Sequence, residues 1–273
     1  MSDVALPHSA FAAMGTVVSL RIARSRAPVD GFAAEDAATA DVVATFARWA
    51  ARCSLFDPAS ELSRINRGEL ALPDASEDVR RAYAVALEWR TRTGGAFTPH
   101  RGDGVIDLNG VVKALAIAEA GATLQGAGFA RWGIDAGGDV LAASGTLGDP
   151  EWLIGIADPA DRAQLLALFE LGRRRLAIAT SGSAERGDHI WTVPGAGPTP
   201  FVQVSVAAGD ILTADVLATA IVSGGHAALD EFTERFDVDV LAVPRDGSLL
   251  ATPGWPRVAR STEFLSPKSA VAR

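Results

Sequence analysis

Residues 212–225, LTADVLATAIVSGG, constrain the chain more than any other stretch, because they put a carboxylate and a hydroxyl on an otherwise apolar helix. Asp215 and Thr219 are four residues apart and so stack on one helical face. Val216, Leu217, Ala220, Ile221 and Val222 give the rest of each turn to a core. An ionised carboxylate is costly to bury unless something compensates it, and a small oxygen site with few protein ligands suits Mg²⁺. A purely structural reading is also open. In that reading Thr213 is the N-cap, Asp215 favours the first helical turn through the helix dipole, and Thr219 bonds a backbone carbonyl.

A helix of this kind needs a large core around it, and 273 residues at 48% hydrophobic supply one, in one big domain or two intimate halves. The formal net charge of −8 and the absence of a basic run argue against nucleic acid as a partner. One cysteine, Cys53, excludes an internal disulfide framework. The N-terminus MSDVALPHSA has neither a basic n-region nor an apolar h-region, so a cytoplasmic location is expected. No apolar run reads as long enough to span a bilayer, and no membrane anchor of its own is expected. Among 25 basic residues only Lys113 and Lys268 are lysines. A lysine kept inside a motif in an arginine-using chain points to a place that wants an ammonium rather than a planar guanidinium.

Taken in order, residues 16–23 (TVVSLRIA) read as a strand entered through a turn at Met14-Gly15. Helical spacing runs from about Val29 to Leu55, and Asp57-Pro58 makes a turn before a short helical segment that begins at Ser60 and Glu61. Phe56 reads as core or pocket wall. A second helix covers roughly residues 76–93. Residues 103–128 read as a short extended entry, a turn at Asn109-Gly110 and a helix to about Gln125. Residues 131–145 give two strand pieces around Gly137-Gly138, where backbone could approach a ligand closely or merely bulge. Three strand candidates follow between 151 and 182, then the polar loop SAERGDHIWTVPGAGPTP, a strand at 201–209, the opening helix, another helix at about 225–236 and a strand at 238–244. The organisation expected is a tail at 1–10, one domain at 11–255 and a mobile tail at 256–273. Strands and helices mix without strict βαβ alternation, which makes the fold class α+β.

Polar motifs sit at the turns: MGT (14–16), SLFDPASELSRIN (54–66), AFTPH (96–100), DLNGVVKALAIAEA (107–120), IDAGGD (134–139), ATSGSAERGDHI (179–190) and ADVLATAI (214–221). Their order and spacing resemble the ApbE family of flavin transferases, over about residues 11–225. The resemblance implies a single ApbE-like, T-fold-related domain that cleaves FAD and attaches FMN through a phosphoester to Ser or Thr of a target flavoprotein, with release of AMP. It implies that Asp215 and Thr219 hold Mg²⁺ by their side chains, with the backbone carbonyl of Gly110 as a third ligand. It implies too that Met14, Phe56, Ala96, Phe97, Thr98, Asp107, Lys113 and Ile190 line the FAD site. His189 is the base candidate for the acceptor hydroxyl, as a group titrating near neutrality, and Lys113 is expected beside the nucleotide. His8, His100 and His226 read as surface histidines.

The chain departs from the family pattern in places. AFTPH stands where the family has A-F-D-P-T, so Thr98 replaces an acid. DLNG stands for D-L-G-G, and HIWTVPGAG for H-I-I-D-P-x-T-G. The expected activity is therefore an Mg²⁺-dependent FAD:protein FMN transferase, with an FAD pyrophosphatase or a flavin-binding module that lacks turnover as the alternatives.

Overall fold

The strand at residues 201–208, FVQVSVAA, shows how the molecule is layered, because its side chains alternate between two cores. Val204, Val206 and Ala208 join one core, Ala207 the other, and on the next strand Val240 and Ala242 separate from Leu241 and Val243 in the same way. A sheet covered on both faces has this period-two sorting. The coordinates, a computed structural model, describe residues 8–23, 31–145, 151–182, 199–255, 257–258 and 263–264.

Among these residues the strands are β1 (His8–Ala13), β2 (Thr16–Ile22), β3 (Arg131–Ala136), β4 (Asp139–Ser144), β5 (Trp152–Ala157), β6 (Leu165–Leu171), β7 (Ala177–Gly182), β8 (Phe201–Ala208), β9 (Asp239–Pro244), β10 (Leu250–Ala251), β11 (Arg257–Val258) and β12 (Glu263–Phe264). The helices are α1 (Gly31–Cys53), α2 (Glu61–Asn66), α3 (Glu77–Arg92), α4 (Asn109–Gly126) and α5 (Ile211–Arg235), with a 3-10 turn at Leu72–Asp74. Nine strands form one sheet in the order β1-β2-β3-β4-β7-β8-β9-β10-β12, and β11-β6-β5 form a second. Every pairing is antiparallel except that of β10 with β12. The fold class is thus α+β, as expected.

The helices pack on one face of the large sheet, where α4 and α5 contact each other. Gly121 lets α4 approach the Trp132 ring closely, since a Cβ there would sit 2.5 Å from it. The small sheet covers the opposite face around Trp152, Phe169 and Trp255. Cys53 lies in the helical core, where burial pushes its thiol up to about 12.

Several expectations change. Asn109-Gly110 is the first turn of α4 rather than a turn before it, because Asp107 Oδ1 accepts from Asn109 N–H at 2.9 Å and starts the helix there. The N-cap of α5 is Asp210, whose carboxylate accepts from Thr213 N–H at 2.8 Å, so Thr213 is capped rather than capping. Gly225, at φ 67°, breaks α5 into the two expected helical pieces. A strand, β1, precedes the expected first one. Within the stretch expected as a C-terminal tail, β11 pairs with β6 and β12 with β10. Finally, α5 has the length and hydropathy to cross a bilayer, contrary to the sequence reading, but it is largely buried here as the core helix.

Candidate functional site

Two tight turns meet at one end of the large sheet. Met14-Gly15 joins β1 to β2 as a two-residue hairpin with both residues at positive φ, 51° and 74°. That is the geometry of a type I′ turn, whose twist suits a hairpin but whose first position favours Asn, Asp or Gly. A methionine there is strained by on the order of 1 kcal/mol or more. Gly137-Gly138 joins β3 to β4, and Gly137 N–H donates to the Val17 carbonyl at 3.2 Å. A Cβ on Gly137 would strike Thr16, so the first of these glycines is required for the turns to interlock. Ala12 to Val17 line an open concavity of about 640 Å³ at this corner.

Beside the turns, Asp139 begins β4 with a fully buried carboxylate. It forms an ion pair with the Lys113 ammonium of α4, whose side chain is 16% exposed. Its other oxygen, Oδ1, accepts from Thr180 N–H on β7 at 3.2 Å. Lys113 is therefore no solvated helix-face lysine. One residue along β7, Ser181 Oγ lies 3.1 Å from Thr219 Oγ1 on α5, and Thr180 Oγ1 lies 2.8 Å from Ser205 Oγ. Asp215 sits one turn before Thr219 and is 5% exposed. Thr219 bonds a neighbouring side-chain hydroxyl here, a different use from the carbonyl bond of the structural reading.

Of the other expected residues, Phe97 and Asp107 meet the start of α4. Phe97 is buried, and its ring lies where a Cβ on Gly110 would come within 2.6 Å. Thr98 Oγ1 accepts from His100 N–H at 3.2 Å, and Asp107 N–H donates to the Pro99 carbonyl at 2.8 Å. Asn66 clamps the backbone of Ile106 through two hydrogen bonds of 2.9 Å. Ala96 packs near Gly224 of α5. Phe56 is 92% exposed, so it is not core. Its turn is organised by Ser54 Oγ, which accepts from Phe56 N–H and Asp57 N–H at 3.1 and 3.0 Å. His8, His100 and His226 are exposed, His100 bonding Tyr83 and His226 resting on the Phe201 ring. His189 and Ile190 lie outside the described residues.

Lys113, Gly110, Asp215 and Thr219 thus come from two helices that contact each other. Sequence reasoning gave no role to Asp139 or Ser181. Both stand inside motifs, the D of AGGD and the second residue of TSG, but nothing in those strings says that one pairs with Lys113 and the other with Thr219.

The chain is thus an α+β domain that buries a Lys113–Asp139 ion pair between α4 and β4 and joins a hydroxyl of β7 to one of α5. The family model of the ApbE family matches residues 14–105 and 100–242, and the chain belongs to that family. The fold is similar to flavin transferase ApbE from Vibrio cholerae, with a TM-score of 0.74 at 20% identity, covering 91% of this chain and 97% of that one. It is similar also to Pseudomonas stutzeri flavinyl transferase ApbE in its apo form, with 0.73, 21%, 93% and 97%. For the ApbE protein from Thermotoga maritima the corresponding values are 0.71, 19%, 89% and 96%. Comparison with curated proteins finds no match.

Proposed function

We propose that this chain is an Mg²⁺-dependent FAD:protein FMN transferase, which moves FMN from FAD to a Ser or Thr hydroxyl of a flavin-accepting protein and leaves AMP. The observation that carries the reading is the buried Lys113–Asp139 pair, tied through Thr180 N–H to the strand whose next residue, Ser181, meets Thr219, within a chain of this family.

The donor set fits Mg²⁺. Asp215 offers a buried carboxylate and Thr219 a hydroxyl one helical turn on, hard oxygen donors of the kind Mg²⁺ takes. Asp215 and Thr219 would hold the ion by their side chains, with the Gly110 carbonyl as the third protein oxygen. Bound there, the ion would neutralise charge on the phosphoryl group as the phosphoanhydride breaks. Lys113 would offer its ammonium to the same anionic group from α4. Met14, Ala96, Phe97, Thr98, Asp107 and Ile190 would shape the flavin nucleotide site, and the exposed Phe56 ring offers a free face to an aromatic ligand. His189 would take the proton from the acceptor hydroxyl.

The test is incubation of the full chain with FAD, MgCl₂ and a flavoprotein carrying the family's acceptor motif, read by intact mass. Addition of one FMN phosphoester is expected. FMN and AMP without modification of the acceptor would instead support a pyrophosphatase, and FAD binding with no product a binding module. His189→Asn should keep FAD affinity and lose transfer by roughly 10²–10⁴-fold, the scale of general-base catalysis. An intact transfer rate in that variant would remove the base role.

A further inference from the structure

We infer that Asp139 is the positioning residue of the site, fixing the Lys113 ammonium where an anionic phosphate of the nucleotide is received. The inference rests on the proposed FAD-binding reading and adds a residue to it.

Three observations carry it. Asp139 is wholly buried, and a carboxylate is taken out of water only where charge and hydrogen bonds compensate it. Its two oxygens face different elements, with Oδ2 on Lys113 of α4 and Oδ1 on Thr180 N–H of β7. The residue after Thr180 is Ser181, whose hydroxyl meets Thr219 of α5. One carboxylate therefore references the ammonium to the strand that carries the oxygen cluster. A lysine side chain has four rotatable carbons and a compact charge, so it holds a point in space only when a partner fixes it. Asp139 itself is fixed by the β3–β4 turn, where Asp135 Oδ1 accepts from Gly138 N–H at 2.9 Å. The double glycine thus serves the ion pair as well as the contact with Thr16 and Val17.

Asp139→Asn separates positioning from packing. The amide oxygen still accepts from Thr180 N–H, and only the charge that holds Lys113 is lost. Affinities are measured on the full chain with MgCl₂, for FAD and for riboflavin, which lacks the phosphates. Asp139→Asn should lose roughly tenfold or more in FAD affinity, the scale of removing a partner that orients a ligating side chain, and stay within about twofold of wild type for riboflavin. Lys113→Met should show the same split. In the Lys113→Met background, Asp139→Asn should add less than about a further twofold, since its effect passes through the ammonium. The double variant removes both charges of the pair, so its own split between FAD and riboflavin, compared with wild type, answers the question even if Asp139→Asn or Lys113→Met alone fails to fold.

Equal losses for both ligands, or effects of the two substitutions that multiply, would overturn the positioning role and leave the FAD reading standing. Wild-type FAD affinity in Lys113→Met would remove Lys113 from the nucleotide, and Asp139's role with it. Wild-type protein that binds no FAD would sink the functional reading and this inference together.

Discussion

At the scale of single residues, Gly110 decides how closely the loop that carries Phe97 packs on α4. An alanine in a helix is worth about 1 kcal/mol over glycine, but its Cβ would come 2.6 Å from the buried Phe97 ring. Overpacking of that kind costs about 1–3 kcal/mol, so the clash outweighs the helical gain. Gly110→Ala should lower the denaturation midpoint, and Phe97→Leu in the same chain should recover part of the loss. If Gly110→Ala is as stable as wild type, the ring has room to move. The residue scale is also where sequence reading reached furthest and then stopped. The i to i+4 spacing of Asp215 and Thr219 and the solitary motif lysine could be read from the string, since local periodicity determines them. That Asp139 faces Lys113, or Ser181 faces Thr219, depends on strand register and on the packing of α4 and α5, which no local pattern contains. Of the two readings open for Phe56, the core one is excluded, because its turn leaves the ring in solvent.

At the scale of elements, α5 holds the two side-chain metal-ligand candidates, Asp215 and Thr219, in its first half and turns at Gly225 before its second half delivers Leu229 and Phe232 to the core. Gly225 has φ 67° and faces Pro200 at 3.3 Å from where a Cβ would lie. With ψ at −153° this is backbone that essentially only glycine adopts, at a cost to an L residue of roughly 1–3 kcal/mol, so Gly225→Ala should destabilise by about that amount. An unchanged urea midpoint would mean that the helix can run straight. Most element positions were legible because alternation and helical spacing are strong here, and Gly225 was already a visible break. The short late strands were not, because two residues carry no period, and β11 and β12 exist only through the partners that distant chain supplies. The α4 start was displaced because Asn-Gly reads as a turn until Asp107 is seen to engage Asn109 N–H.

Across the whole molecule, one ion cluster ties the β6–β7 turn to the start of β9. Arg175 bonds Asp237 at 2.9 Å and Asp239 at 2.7 Å, and Arg174 joins Asp237. The Arg175 and Arg174 guanidiniums hold the Asp237 carboxyl well below the usual carboxylate range. A depressed folded pKa means that the unfolded chain binds the proton first. The cluster's contribution is therefore complete above the unfolded value near 3.9 and is lost as pH falls from there towards the folded value. Because Asp237 is largely exposed, solvent screens the pair and the effect is modest. Thermal melts from pH 6 to pH 2 should show a smaller acid loss in Asp237→Asn than in wild type, and parallel curves would dismiss the cluster as a source of acid sensitivity.

The order of strands has a consequence for rearranging the chain. β1 and β12 occupy opposite margins of the nine-stranded sheet, eight inter-strand steps apart. At about 4.8 Å per step they are separated by roughly 38 Å, ignoring twist. Extended chain covers at most about 3.3–3.6 Å per residue, so a circular permutant joining His8 to Phe264 needs a bridge of about a dozen residues or more. Permutants opened in one surface turn and closed by bridges of four or of twenty residues should differ sharply in soluble yield, with only the longer one recovering the parent's cooperative melt. Equal recovery with the short bridge would mean that the margins lie closer than the strand order places them.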